Sequence, residues 1–270
     1  VDPETNESPT PTPDLAGEYR TKAFAIAGST EGFDLDDDAD IDNNLPAVLD
    51  TLNSELYNAI YNACALIEPN APQQCADQVW GVLTTNGLVL DVNALNQAIA
   101  LGISEGDLNY LEYLSGTPSD ATLAWYEGYL TAANEYVTDY TLGSQSGVVE
   151  IESGQSLVGP GTFTYELNEG MYLSVVQTFS EFVYVPNVEG ETAGSLDAGL
   201  LGGAVVQSEI EQFLRDLIPG VLDDEEEQII AEVISALNAL QLFDLTVLGE
   251  PAFSVAFTFA ATPVQISNVP

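Results

Sequence analysis

The sequence predicts an α+β fold: a mostly antiparallel β-sheet or sandwich with helices segregated to one side. Three observations carry this expectation. Apolar residues recur at helical spacing between about 46 and 103, and the period changes to strand-like alternation from about 107 onward. A strand candidate at 17–29 precedes all the helices and needs a partner sheet. That last point joins the helical part (about 46–103) and the strand-rich part (about 107–270) into one intergrown domain over 16–270, behind a tail at 1–15.

The tail is rich in Pro, Thr and acid and has almost nothing to bury, so it reads as an extended tether with an N-x-S sequon at Asn6. The strand at 17–29 projects Arg20 and Lys22 from one face. After an acidic loop at 34–45, Pro46 opens a helix whose stripe is Leu45, Val48, Leu49, Leu52, Leu56, Ile60 and Ala63. Pro69 and Pro72 break it; further helices are expected near 73–83 and, after an Asp91 cap, near 92–103. Strand segments follow at 107–114, 121–130, 146–153, 161–168 and 171–185, with Asn168-Glu169-Gly170 as a short hairpin turn. A Gly-rich strand at 198–206 leads into a helix with a capping box, Ser208 and Glu211, and a stripe of Ile210, Phe213, Leu214 and Leu217. The next helix starts in the acidic run 223–227, where the macrodipole favours negative charge, and buries Ile229, Ile230, Val233, Ile234 and Leu237. Strands at 242–249 and 252–266 close the chain, the last with Phe253, Val255, Phe257 and Phe259 in strict alternation.

Composition narrows the chemistry. Forty-three acidic side chains oppose three basic ones, Arg20, Lys22 and Arg215, for a formal charge of −40. Such a surface repels itself unless cations screen it, which points to high salt, divalent cations or both. Three cations cannot build a nucleic-acid groove, and an anionic membrane surface would repel the molecule. The chain has no histidine, so a Ser-His-Asp triad and His-based metal sites are excluded. Hydrophobic residues make up 46%, enough for a sizeable core, yet no apolar run approaches the ~18 residues of a transmembrane helix. With no basic and apolar leader and Val1 in first place, a processed mature chain is expected. Cys64 and Cys75 suit no zinc spacing; they are read as a disulfide from one helix end to the next helix start, which implies an oxidising compartment, against two buried thiols as the plainer alternative.

The most specific motif is the run from Asp34 to Asn43. Carboxylates at Asp34, Asp36, Asp38, Asp40 and Asp42 alternate along a tight loop and converge on one point, as a hard cation with oxygen ligands requires. Ile41 is expected to anchor the loop to the core. The loop resembles the DxDxDG calcium loops of EF-hands, dockerins and thrombospondin type 3 repeats, and that resemblance implies calcium ligation by these aspartates. It departs from them at Ala39, where they have glycine, and at Leu45, where they have a bidentate Glu. The stretch "GFDLDDDADIDNNL" with the later "SLDAGLLGGAVV" is loosely similar to uncharacterised secreted proteins and lipoproteins of myxobacterial type, which implies export and calcium but no activity.

Carboxylate pairs have no diagnostic value among 43 acids, and Trp80, Trp125 and the tyrosines are first of all packing residues. With no credible catalytic set, the chain reads as a secreted calcium-binding structural or surface protein, not an enzyme. As such it would be an extracellular or cell-surface subunit that self-assembles into a filament or layer, with the rare pair Arg20 and Lys22 as a subunit contact. The alternative is an exported protein that binds or hydrolyses glycans.

Overall fold

The computed structural model describes residues 15–36, 41, 43–150, 155–168, 171–185, 194–218, 222 and 225–268. Residues 1–14 of the tail, Asp37 to Asp40, Asp42, the turn residues Glu169 and Gly170 and the acids Asp223 and Asp224 lie outside the described residues, so the expectations placed on them have no structural counterpart.

The strands are β1 (Leu15–Ile26), β2 (Tyr110–Thr117), β3 (Asp120–Leu130), β4 (Tyr136–Val148), β5 (Gln155–Asn168), β6 (Met171–Val185), β7 (Ser195–Val206), β8 (Leu245–Val247) and β9 (Glu250–Pro263). They belong to one sheet in the order β1-β2-β3-β4-β5-β6-β7-β9-β8, and β9 also pairs with β1. All the ladders are antiparallel. The sheet therefore closes on itself: every strand but β8 takes part in a ring, and the two-sheet sandwich gives way to a barrel.

Residues directly opposite in an antiparallel pair share a face, which identifies the inner wall. Phe253, Val255 and Phe257 of β9 face Val205, Gly203 and Leu201 of β7. On the other flank, Phe257 and Phe259 face Ile26 and Phe24 of β1. Tyr110, Trp125, Phe163, Tyr165 and Phe182 come in from β2, β3, β5 and β6, and all are buried. Their rings interlock: Phe24 lies 5.0 Å from Tyr110 and 5.2 Å from Phe257, and Trp125 lies edge-on 4.9 Å from Phe259 and 5.6 Å from Phe163. Gly143 of β4 makes the last contact possible. It is paired with both Trp125 and Phe163, and a Cβ there would run into the Thr162 carbonyl. The lumen is thus filled with side chains.

A group of polar side chains inside the barrel forms a hydrogen-bonded network. The Trp125 indole N–H donates to Gln145 Oε1 (2.9 Å), the Ser180 hydroxyl donates to the same oxygen, and Gln145 Nε2 donates to Thr178 Oγ1 (3.1 Å).

The helices fill the two long crossovers. α1 (Leu45–Ile67), α2 (Pro72–Thr85) and α3 (Val92–Glu105) lie between β1 and β2; α4 (Gln207–Leu217) and α5 (Glu226–Ala239) lie between β7 and β9. α1 packs on α2 and α5, α3 packs on β1, and α4 packs on β6, β7 and β9. The stripe expected on α1 is buried throughout, as are those of α4 and α5. Asp91 caps α3 as its position suggests, accepting from Ala94 N at 2.8 Å. The capping box at α4 is corrected: Val206 is the N-cap, Ser208 bonds to Glu250, and Glu211 accepts from Gln207. Because β7 runs straight into α4, the Ser208 hydroxyl is already inside the first turn and turns outward to β9 instead.

β4 begins at Tyr136, well before the segment at 146–153 where alternation suggests a strand. Its first half reads Tyr-Val-Thr-Asp-Tyr-Thr, with none of the six residues fully buried, so no apolar period marks it. β5 and β6 pair through Asn168 and Met171, in keeping with a short hairpin connection.

Candidate functional site

The aspartate loop joins β1 to α1 and is pinned to the barrel at both ends. At its start, Gly28 N donates to Glu31 Oε2 (3.0 Å) and Glu31 N to the Gly28 carbonyl (2.9 Å). The Phe33 ring then lies 5.9 Å from Phe179 over Gly202, and Leu35 packs on the cluster of Ala204, Val206, Leu245, Val247 and Ala252. At its end, buried Asn43 donates from Nδ2 to the carbonyls of Ala27 and Gly28 and accepts from Ala256 N. Asn44 N donates to Ser254. Between these anchors, Asp34 and Asp36 are exposed.

Ile41 does not anchor the loop to the core. It is 55% exposed, because Phe33, Leu35 and Asn43 already hold the loop. Instead it helps to line an open groove of about 720 Å3 on the outer barrel wall. The floor of this groove is built from small residues of β1, β7 and β9, notably Ala23, Ala25, Ala198 and Ala260, and Asn96 of α3 stands at one side. Small side chains at adjacent outward positions leave the hollow. The aspartate loop is therefore one wall of a concave, largely apolar surface.

Lys22 also lines the groove, with Nζ 3.0 Å from Asp197 Oδ1. Partial burial works against ionisation of Asp197, but the hydrogen bonds from Lys22 and Ser195 outweigh it and hold its carboxyl below the ordinary range. Arg20 goes elsewhere. Its Nε donates to Asn109 Oδ1 (2.9 Å), its Nη2 donates to the Ile103 carbonyl (2.6 Å), and its guanidinium sits 5.6 Å from the Tyr136 ring centre. A carbonyl from the last turn of α3 is a natural seat for a cation, so Arg20 fastens α3 to the barrel. The third cation, Arg215, bonds to Glu226 and Glu227 at the start of α5 and so ties α4 to α5; Glu211, one helical turn before it, is bonded to Gln207 instead.

Cys64 and Cys75 form a disulfide from the end of α1 to the first turn of α2. Trp125 is sealed in the barrel, and Trp80 lies edge-on to Tyr57 at 5.5 Å.

Two features escape a reading of the sequence. The groove depends on small residues from strands far apart in the chain, and nothing local marks them. The other is Glu112, wholly buried in the barrel, which burial pushes up to about 8 although Thr21, its own backbone and Arg20 pull it down. In Tyr-Leu-Glu-Tyr-Leu both faces are apolar, so alternation alone does not say which way the acid points.

No family model, curated protein or solved structure matches this chain. Among the described residues, no helix is long and apolar enough to cross a membrane.

Proposed function

We propose that this is an exported calcium-binding protein that acts by binding and assembly, a subunit of an extracellular filament or surface layer. The observation that carries the reading is the pinning of the aspartate loop at both ends, by Phe33 and Leu35 on one side and Asn43 on the other. Anchors on either side limit how far the acids between them in the sequence can separate. The alternating acids Asp34, Asp36, Asp38, Asp40 and Asp42 then repel one another unless a hard cation sits among them. On this reading the cation stiffens one wall of the outer groove, the helices gather to one side of the barrel, and the remaining wall meets neighbouring copies. The disulfide supports an oxidising, extracellular setting. Lys22, on the groove and half exposed, is held only by the half-exposed Asp197, so of the pair it is the one that a neighbouring copy's acid could share, whereas Arg20 is bonded to Asn109 and the Ile103 carbonyl.

The test is metal analysis with thermal melting, and electron microscopy with and without chelator. Calcium at about ten times its dissociation constant should stabilise the fold by about 1.4 kcal/mol, while sodium chloride of equal ionic strength should not reproduce the gain. Asp34→Asn with Asp36→Asn should remove it, and particles larger than a monomer should disperse in EGTA. A protein that binds no calcium and stays monomeric in its presence would overturn the proposal.

A further inference from the structure

Closure of the barrel depends on a change of partner within β1. Residues Leu15–Arg20 pair with Gly116–Leu111 of β2, whereas Tyr19–Ile26 pair with Pro263–Phe257 of β9. Only Tyr19 and Arg20 take part in both ladders, and a bulge follows between Thr21 and Ala23. Glu112 stands at this junction. It is paired with Tyr19, fully buried on the inner face, and accepts a hydrogen bond on Oε1 from the Thr21 hydroxyl. Among the described residues its Oε2 has no hydrogen-bond partner. On its other flank the paired residue is Trp125, whose indole N–H is committed to Gln145.

We propose that this seam is a proton-operated latch: Glu112 is the neutral acid while β1 is seated, and its ionisation loosens β1 from β2. A carboxylate here would bury charge on an oxygen with no donor, a far larger cost than burying a neutral acid. The groups around it offer little relief. Tyr19 on β1 and Tyr184 on β6 are phenols bonded to each other, and burial, Tyr184 and Glu112 all push Tyr19 far up. Tyr110, next on the inner face of β2, lies opposite Glu127 of β3, another acid. Arg20 is the cation that acts on Glu112, and its guanidinium is already bonded to Asn109 and Ile103. β1 continues into Lys22 and Ala25 on the groove, so a loosened seam reaches that surface.

Linkage fixes the direction of the pH dependence. The folded state keeps a proton up to about pH 8 that the unfolded chain releases near 4.5. Between these values the folding constant falls about tenfold per pH unit, and beyond the upper one the loss is complete. Urea unfolding of the wild type and Glu112→Gln, at fixed ionic strength from about pH 5 to about pH 9.5, isolates this group because the other acids are common to both. The ratio of folding constants should move toward the variant by about tenfold per unit and level off near pH 8. Hydrogen exchange at Leu111–Leu114, corrected for intrinsic rates, should accelerate above pH 8 more than at Val175 and Phe182 of β6, and only in the wild type. A ratio that stays flat, or exchange that rises uniformly, overturns the latch. Should Glu112→Gln fail to fold, carbon-13 NMR of the wild-type glutamate carboxyls decides: one resonance should titrate near pH 8, and the absence of any titration above pH 6 overturns it.

Discussion

Asn43 carries more than its place in an acidic run suggests. One amide ties the aspartate loop to β1 and β9, bonding to Ala27, Gly28 and Ala256. Asn43→Leu fills the space but removes three hydrogen bonds, and it strips the buried Ala27 carbonyl and Ala256 N–H of the Asn43 amide, while the exposed Gly28 carbonyl keeps its bond from Glu31 N. The expected cost is about 2–3 kcal/mol in urea unfolding, at roughly 1 kcal/mol for each lost bond. If the calcium reading is correct, calcium affinity should weaken with it, measured by titration calorimetry. Neither Asn43 nor Glu112 stands out in the sequence. Both belong to residue types that the chain uses freely on its surface, and their roles depend on strands far along the chain. Asp91 is the counterexample: a cap is a local device, its acceptor and donor are three residues apart, and it was legible for that reason.

At the scale of elements, the apolar period was the reliable signal. The α1 stripe from Leu45 to Ala63 is buried as read, and β6 has the bounds its aromatic and β-branched run suggests. Where period was absent, as in the first half of β4, the strand was invisible; pairing with β3 makes it one. Ser208 shows the converse: a capping pattern was present, but the geometry of a strand running straight into a helix left it no role there. The disulfide was legible from spacing and elimination. It joins residues 11 apart, so its loss frees a short loop in the unfolded chain. Replacing Cys64 and Cys75 together by Ala should cost about 2–3 kcal/mol in the melting or urea midpoint. The change should be confined to the α1–α2 corner, with amide shifts in the barrel unmoved.

For the whole molecule, charge is the strongest influence. A net −40 with the few cations tied up in named pairs leaves long-range repulsion that simple salt relieves. Raising sodium chloride from low to near-molar concentration should stabilise the fold by about 1–2 kcal/mol, roughly 2–4 °C in the melting midpoint. A midpoint independent of salt would mean that the acids are already neutralised by bound cations. The barrel also explains why assembly by strand addition is closed to β1. Beyond Arg20, where β1 leaves β2, the free backbone of Ile26 is bonded on both sides by the Asn96 amide of α3, which stands in for a strand. The ring has a consequence in time as well. β1 is made first but is completed by β9, with Ile26 meeting Phe257. During synthesis the first strand must wait, unpaired on that side, until nearly the whole chain has emerged. α1 to α3 are free to form early through local contacts, while the barrel closes late, in one slow long-range event.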